Sequence, residues 1–280
     1  MTRTRRTKAQ LAEIDAAILH TAEEEKPISI RGLFYRVMST GLVPKTEKGY
    51  RIVQRQSLKL RRSGELPYGW ITDGSRLRLQ ADSYNSAQEA LEHTARFYRQ
   101  NLWHETGIHV EVWAEKDAIR GVVHPVTNEF DVPLMIARGF SSETFLHQTA
   151  EDINCSDAET AVIYHLGDHD PSGVTAWNHI QSGLRQFTDT NVDLEFHRLA
   201  VTTEQIEELS LPTRPTKATT HGRGFEGDSV EVDAIPSTAL RRLVREAIEQ
   251  WIDPHQMDIV RQVEESERSI LMNLHRGLAS

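Results

Sequence analysis

Three acidic residues fall where two apolar runs end. Glu115 directly follows HVEVWA, and Asp168 and Asp170 follow AVIYHLG, within Gly167-Asp168-His169-Asp170-Pro171-Ser172-Gly173. Carboxylates gathered at neighbouring strand ends repel one another unless a cation joins them. A few hard oxygens, with room left for water and phosphate, suit Mg2+. A lone Asp-x-Asp is weak, because such pairs often serve only as turns or helix caps. Followed by Pro and Gly after an apolar strand, with a Glu ending an earlier strand, the pattern is stronger. A zinc site fares worse: His165 and His169 sit on a strand and a turn, where a four-residue spacing does not give a shared face, and no third soft ligand is nearby.

A second set of candidates lies near the N-terminus. Arg31 and Tyr35 are four apart on a predicted helix and share a face distinct from Leu33, Phe34 and Val37. A phenol titrates near pH 10, so it attacks well only where a cation or base stabilises its phenolate. An arginine one turn away can supply that charge and can also grip a phosphate with two N–H groups. Alone, the pair reads as a surface Tyr–Arg contact. Lys48, Arg51, Arg55, Lys59 and Arg62 are spaced 3, 4, 4 and 3 apart and form one basic stripe. Solvated helix faces normally interleave acids with bases, and here only Glu47 interrupts before Glu65. The stripe is therefore read as a DNA contact.

Positioning these residues requires two kinds of architecture. Helices are expected over 8–24, from Ser29 to near Gly41, and over 46–62. They are followed by a hairpin of Gly69–Thr72, an Asp73-Gly74 turn and Arg76–Leu79. Three helices and a hairpin suggest a winged-helix (catabolite-activator-like) domain. A helix over 84–105, ended by Gly107, reads as a connector. Strands at His109–Ala114, Val132–Ala137, Thr160–Leu166 and Leu194–Val201 then alternate with helices after Glu115, after Ser141 or Ser142, and over 172–187. That alternation predicts an α/β fold with a mostly parallel sheet, whose ligands bind beyond the carboxyl ends of its strands. Amphipathic helices from Ser237 (Leu240, Leu243, Val244, Ala247, Ile248, Trp251) and after Pro254 (Ile259, Val263, Ile270, Leu274) are read as core packing, with a dimer contact as the alternative. Pro212-Thr213-Arg214-Pro215, Lys217 and His221-Gly222-Arg223-Gly224 form a second basic segment, read as a surface loop with DNA contact as the alternative.

Composition fits this division. The 280-residue chain has a net charge of −9, yet residues 1–80 carry 16 Lys+Arg against 8 Asp+Glu, and the remainder 16 against 33. Such asymmetry points to a nucleic-acid-binding part joined to an acidic one. The single cysteine, Cys155, excludes an intramolecular disulfide and a thiolate zinc cluster. No apolar run is long enough for a membrane span, and MTRTRRTK leads into an amphipathic segment instead of a signal core. A cytoplasmic protein is expected.

The Glu115 and Asp168-x-Asp170-Pro-x-Gly combination resembles the Toprim fold of topoisomerases, bacterial primases and some nucleases. That resemblance implies that Glu115, Asp168 and Asp170 are its acidic, Mg2+-binding positions. With Arg31-Gly32-Leu33-Phe34-Tyr35 ahead of it, the chain resembles the A subunit of topoisomerase VI and the meiotic double-strand-break transesterase, over roughly residues 10–250. It is similar to the small stand-alone Mini-A versions found in bacteria, plasmids and phages. Phe34 stands where the family usually has Tyr. The resemblance implies a winged-helix domain over 1–82, a connecting helix over 83–106 and a Toprim domain with C-terminal helices over 107–280. It implies Tyr35 as nucleophile, Arg31 as its assistant and Glu115 as ligand or general acid/base. It also implies double-stranded DNA as substrate, and a homodimer in which each tyrosine meets the partner's metal site. The sequence leaves open an ATPase B-type partner. Two rivals remain: a hydrolytic Toprim nuclease of the plasmid-defence kind, and a non-catalytic winged-helix DNA binder.

Overall fold

The computed structural model describes residues 6–72, 81–104, 106–216, 225 and 227–277. Three helices open the chain, and each starts at a side-chain cap that satisfies orphan backbone N–H groups. Thr7 and Gln10 form a reciprocal capping box at α1 (Lys8–Glu25). Strand β1 (Ile28–Ser29) ends in Ser29, whose Oγ accepts from the Gly32 N–H at 3.0 Å and starts α2 (Ile30–Ser39). Thr46 caps α3 (Glu47–Arg62). A one-turn helix at Tyr68–Trp70 then leads into β2 (Ile71–Thr72), which pairs in parallel with β1. Of the expected strand Gly69–Thr72 only Ile71 and Thr72 are extended, and among the described residues they pair with a strand some forty residues earlier. The expected turn at Asp73-Gly74 and strand Arg76–Leu79 lie outside the described residues.

Helix α4 (Ala87–Phe97) ends well before Gly107. At Tyr98 the backbone turns extended, its hydroxyl donates to Glu267 and its carbonyl accepts from Arg268, so the chain leaves the helix to lie along the C-terminal helix. The alternating half follows: β3 (Ile108–Ala114), α5 (Asp117–Glu129), β4 (Leu134–Ile136), α6 (Glu143–Asn154), β5 (Thr160–Leu166), α7 (Pro171–Phe187), β6 (Asp193–Ala200), α8 (Thr203–Glu208), α9 (Ser237–Glu249) and α10 (Pro254–Gly277). The four longer-range strands form one all-parallel sheet in the order β4-β3-β5-β6, as strand–helix alternation demands. The protein is α/β.

Strand side chains alternate between the two faces. Val110, Val112 and Ala114 of β3, with Val162, Tyr164 and Leu166 of β5, join an apolar cluster that includes α5 and α9. That cluster runs on without a break to Ile14, Ile18, Leu33, Val53 and Leu60 of the N-terminal helices. Trp113, Ala161 and Ile163 face the other way, onto Leu146 of α6 and Ile180 and Leu184 of α7. The N-terminal helices and the sheet therefore share a core. α9 packs as its sequence suggests. The named residues of α10 do not: Ile259, Val263, Ile270 and Leu274 are exposed, because α10 meets the α4 region through Glu264, Glu267 and Arg268 instead. Among the described residues no helix is long and apolar enough to cross a membrane.

Candidate active site

The register of the sheet sets the site. Ala114 pairs with Leu166, and Leu166 with Ala200, so three strands end level. Beyond them the ladder continues, with Glu115 N–H donating to Leu166 O at 2.9 Å and Gly167 N–H to Ala200 O at 2.7 Å. Glu115 and the Gly167-Asp168 turn are thereby held side by side. Glu115 Oε2 accepts from the Asp168 backbone N–H at 2.9 Å. Its carboxylate fills space that side chains would take: a Cβ on Gly167 would lie 2.8 Å, and one on Gly173 3.0 Å, from that oxygen. Burial raises the Glu115 pKa above the ordinary range, and the nearby Asp168 raises it further.

Asp168 is buried and fully engaged. Its Oδ1 accepts from Val232 N–H at 2.9 Å, and its Oδ2 lies 2.8 Å from Lys116 Nζ. Asp170 caps α7 through Oδ1, which accepts from Gly173 N–H at 2.8 Å, while Oδ2 faces Arg214 Nη2 at 3.5 Å. The three acids share one sheet edge, but among the described residues no group of three or more His, Cys, Asp or Glu side chains is spaced to hold a metal ion. Lys116 also joins Asp168 to Glu231 and Asp233, whose carboxylates lie 3.2 and 3.4 Å from the same ammonium.

Glu231 and Asp233 escape sequence reading, because they stand more than 110 residues from Lys116 and about 200 from α2. Both precede Pro236 in a short run, Glu231-Val232-Asp233-Ala234-Ile235, whose pattern marks neither acid as a site residue. They tie α2 to the sheet. Ser29 Oγ donates to Asp233 Oδ1 at 3.2 Å, and Arg36 donates to the Ala234 carbonyl. Arg31 donates through Nε and Nη2 to the two oxygens of Glu231, at 3.0 and 2.7 Å. Burial would raise the Glu231 carboxyl, but its bonds to Arg31 and the charge of Lys116 win and hold it down at about 2. Lys116 and Arg31 both stay charged despite burial, because these acids face them.

Arg31 and Tyr35 are neighbours, the guanidinium 6.0 Å from the centre of the phenol ring. The expected separate face is corrected: Arg31 reaches the cleft, whereas Tyr35 is only 6% exposed and joins the apolar cluster of Leu33, Phe34 and Val37. Burial, reinforced by Glu231, pushes its phenol up to about 12, against the pull of Arg31 and Lys116. Its electrostatic neighbours Glu231, Arg31 and Lys116 belong to its own chain. Arg214 is likewise no plain surface loop. It pairs with Asp170 and Glu231, and its backbone bridges to Ser229. Lys217 and His221–Arg223 lie outside the described residues. Arg198, also missed, holds the acidic turn by donating to the Gly167 and Asp168 carbonyls.

All five stripe residues, Lys48, Arg51, Arg55, Lys59 and Arg62, are exposed on α3. Arg51 pairs with Glu47 at 3.2 Å and Lys59 with Asp15 of α1 at 3.1 Å; the second pairing was invisible in the local pattern. His165 is no ligand: it is buried and stacked on Trp177, with centroids 4.5 Å apart. A cleft of about 870 Å3 runs between α2, α3 and the sheet edge, lined by Arg31, Arg61, Glu115, Lys116, Asp168 and Arg214 among others. Comparison with known proteins gives no matching family model, no matching curated protein and no matching solved structure.

Proposed function

We propose that this protein cleaves the phosphodiester backbone of double-stranded DNA at the carboxyl edge of its sheet, in the manner of a type IIB topoisomerase A subunit. Its N-terminal helices would form a winged-helix DNA-binding unit and its sheet a Toprim unit. The observation that supports the reading is the convergence, within one chain, of Glu115, Asp168 and Arg31 on a single cleft, with Asp170 facing Arg214 of its lining and Tyr35 packed beside Arg31. The exposed stripe on α3 supports DNA as the polyanion, since phosphate contacts supply most nonspecific affinity.

The donor set suits Mg2+: hard carboxylate oxygens, with Glu115 cradled by two glycines and a negative field that already retains an ammonium ion. Glu115, Asp168 and Asp170 would hold the ion once Lys116 releases Asp168. Bound there, it would stabilise charge on the scissile phosphate and the departing ribose oxygen. The chain's own groups do the rest. Arg31 grips the phosphate and offsets its developing charge. Tyr35 Oη forms the new bond to phosphorus as the bond to the ribose oxygen breaks, and the phenol's proton passes to that oxygen through Glu115 or water. The phosphotyrosine conserves the bond energy, so rejoining needs no further cofactor. A homodimer would cut both strands.

The burial of Tyr35 and its raised pKa favour a second reading, in which water attacks and Tyr35 stays a packing residue. The two part on one assay. With Mg2+ and DNA, transesterification leaves a denaturant-resistant protein–DNA adduct that Tyr35→Phe cannot form. Unimpaired cutting by Tyr35→Phe without an adduct assigns the attack to water.

A further inference from the structure

We propose that Arg31, Lys116 and Arg214 form a seat for a backbone phosphodiester, and that the protein's own Glu231 occupies it. Four nitrogens converge on this one carboxylate. Arg31 Nη2 and Nε lie 2.7 and 3.0 Å from Oε1 and Oε2, Lys116 Nζ lies 3.2 Å from Oε2, and Arg214 Nη1 lies 3.5 Å from Oε1. The arginine fork on two oxygens is the geometry it also offers to a phosphate. Exposure separates the two sides of the contact. All four residues line the cleft, but the Glu231 side chain is 7% exposed whereas those of Arg31, Lys116 and Arg214 are 37, 27 and 43% exposed. The cations therefore face the space that a ligand would enter, with the carboxylate beneath them.

The segment that delivers Glu231 is pinned at the cleft. Ser229 bridges to Arg214 and Val230 to His169, one residue from each of the two acids of the turn. An incoming phosphate must then exchange with Glu231 for the same N–H groups. Arg31 would change partner, and Tyr35 would lose the acid that helps hold its proton. This rests on the cleavage reading for which phosphate sits there, but binding is separable from chemistry. A nucleic-acid backbone is favoured over a free anion because Arg61 of α3 and Arg138 line the same cleft and add two further cations to it.

The test measures binding of a labelled duplex oligonucleotide to the full chain in EDTA across a salt series. A seat that is open one-tenth of the time weakens apparent affinity about tenfold. Glu231→Gln is therefore expected to bind about tenfold tighter than wild type, and adding Arg31→Ala should remove the gain. Arg214→Gln, a change at a half-exposed side chain, is expected to bind several-fold more weakly, with a salt slope reduced by about one. Glu231→Gln that melts cooperatively yet binds no tighter overturns the proposal. Should that variant not fold, Arg214→Gln decides, and wild-type affinity and slope from it count against the seat. Cleavage by wild type with Mg2+ is scored separately. Tightened binding without any cleavage keeps the seat and removes the cleavage reading, and cleavage without tightening does the reverse.

Discussion

The ammonium of Lys116 lies 2.8 Å from Oδ2 of Asp168, and 3.2 and 3.4 Å from Glu231 and Asp233. One side-chain cation thus bridges three carboxylates, one of which Arg31 and Arg214 also face. Removing it leaves three carboxylates facing one another in a largely buried place. Lys116→Met should lose roughly 2 kcal/mol of stability in EDTA, less than for a fully buried pair because Lys116 keeps some solvent contact. Millimolar Mg2+ should restore more of the melting temperature in the variant than it adds to wild type. Urea unfolding with and without Mg2+ checks this, and equal responses in the two proteins would argue that no divalent ion takes the ammonium's place.

Gly173 makes room for the acidic turn. A Cβ there would lie 2.4 Å from the Asp168 carbonyl oxygen and 3.0 Å from Glu115 Oε2. Backbone cannot yield as a flexible side chain does, so the first helical turn must shift. Gly173→Ala should destabilise the protein by about 2 kcal/mol and weaken Mg2+-induced stabilisation, because Glu115 and Asp170 move together. Unfolding and Mg2+ titration of this variant report both effects, and a neutral substitution would mean that the turn is looser than described.

His165 supplies a pH test. Burial against Trp177, with Arg198 nearby, depresses its pKa to about 3, well below the roughly 6.5 of an unfolded chain. Between those values the unfolded state binds the extra proton, so stability is complete above about pH 6.5 and falls as the solution is acidified. His165→Asn should flatten the dependence between pH 6.5 and 5, at some cost in stability at pH 7. Melting curves at stepped pH decide it, and parallel curves for the two proteins would remove His165 as the cause.

Most elements were legible because their signals are local. Ser29 caps α2 where its sequence context says it should, and the period-two pattern of Val110, Val112 and Ala114 marks a buried strand. Glu115 and Asp168 were legible as neighbours for the same reason, each being the first polar group past a strand end. What was not legible depends on contacts between distant segments. Among the described residues, β2 is paired with β1. α4 stops at Phe97 because α10 binds the next residue. The partners of Arg31 and Arg36 on α2 come from a segment about 200 residues away, and helical spacing carries no trace of it.

The central claim is that the sheet-edge carboxylates support metal-dependent DNA cutting, and supercoiled plasmid tests it most directly. Wild type, Asp168→Asn and Asp170→Asn are incubated with Mg2+ or with EDTA and resolved on a gel after protease and detergent. The account predicts nicked and linear plasmid from wild type with Mg2+ only, and at least a hundredfold less from either variant, in line with loss of metal-held transition-state charge. Cutting that persists in EDTA, cutting that both variants retain, or intact plasmid from folded, DNA-bound wild type would contradict it.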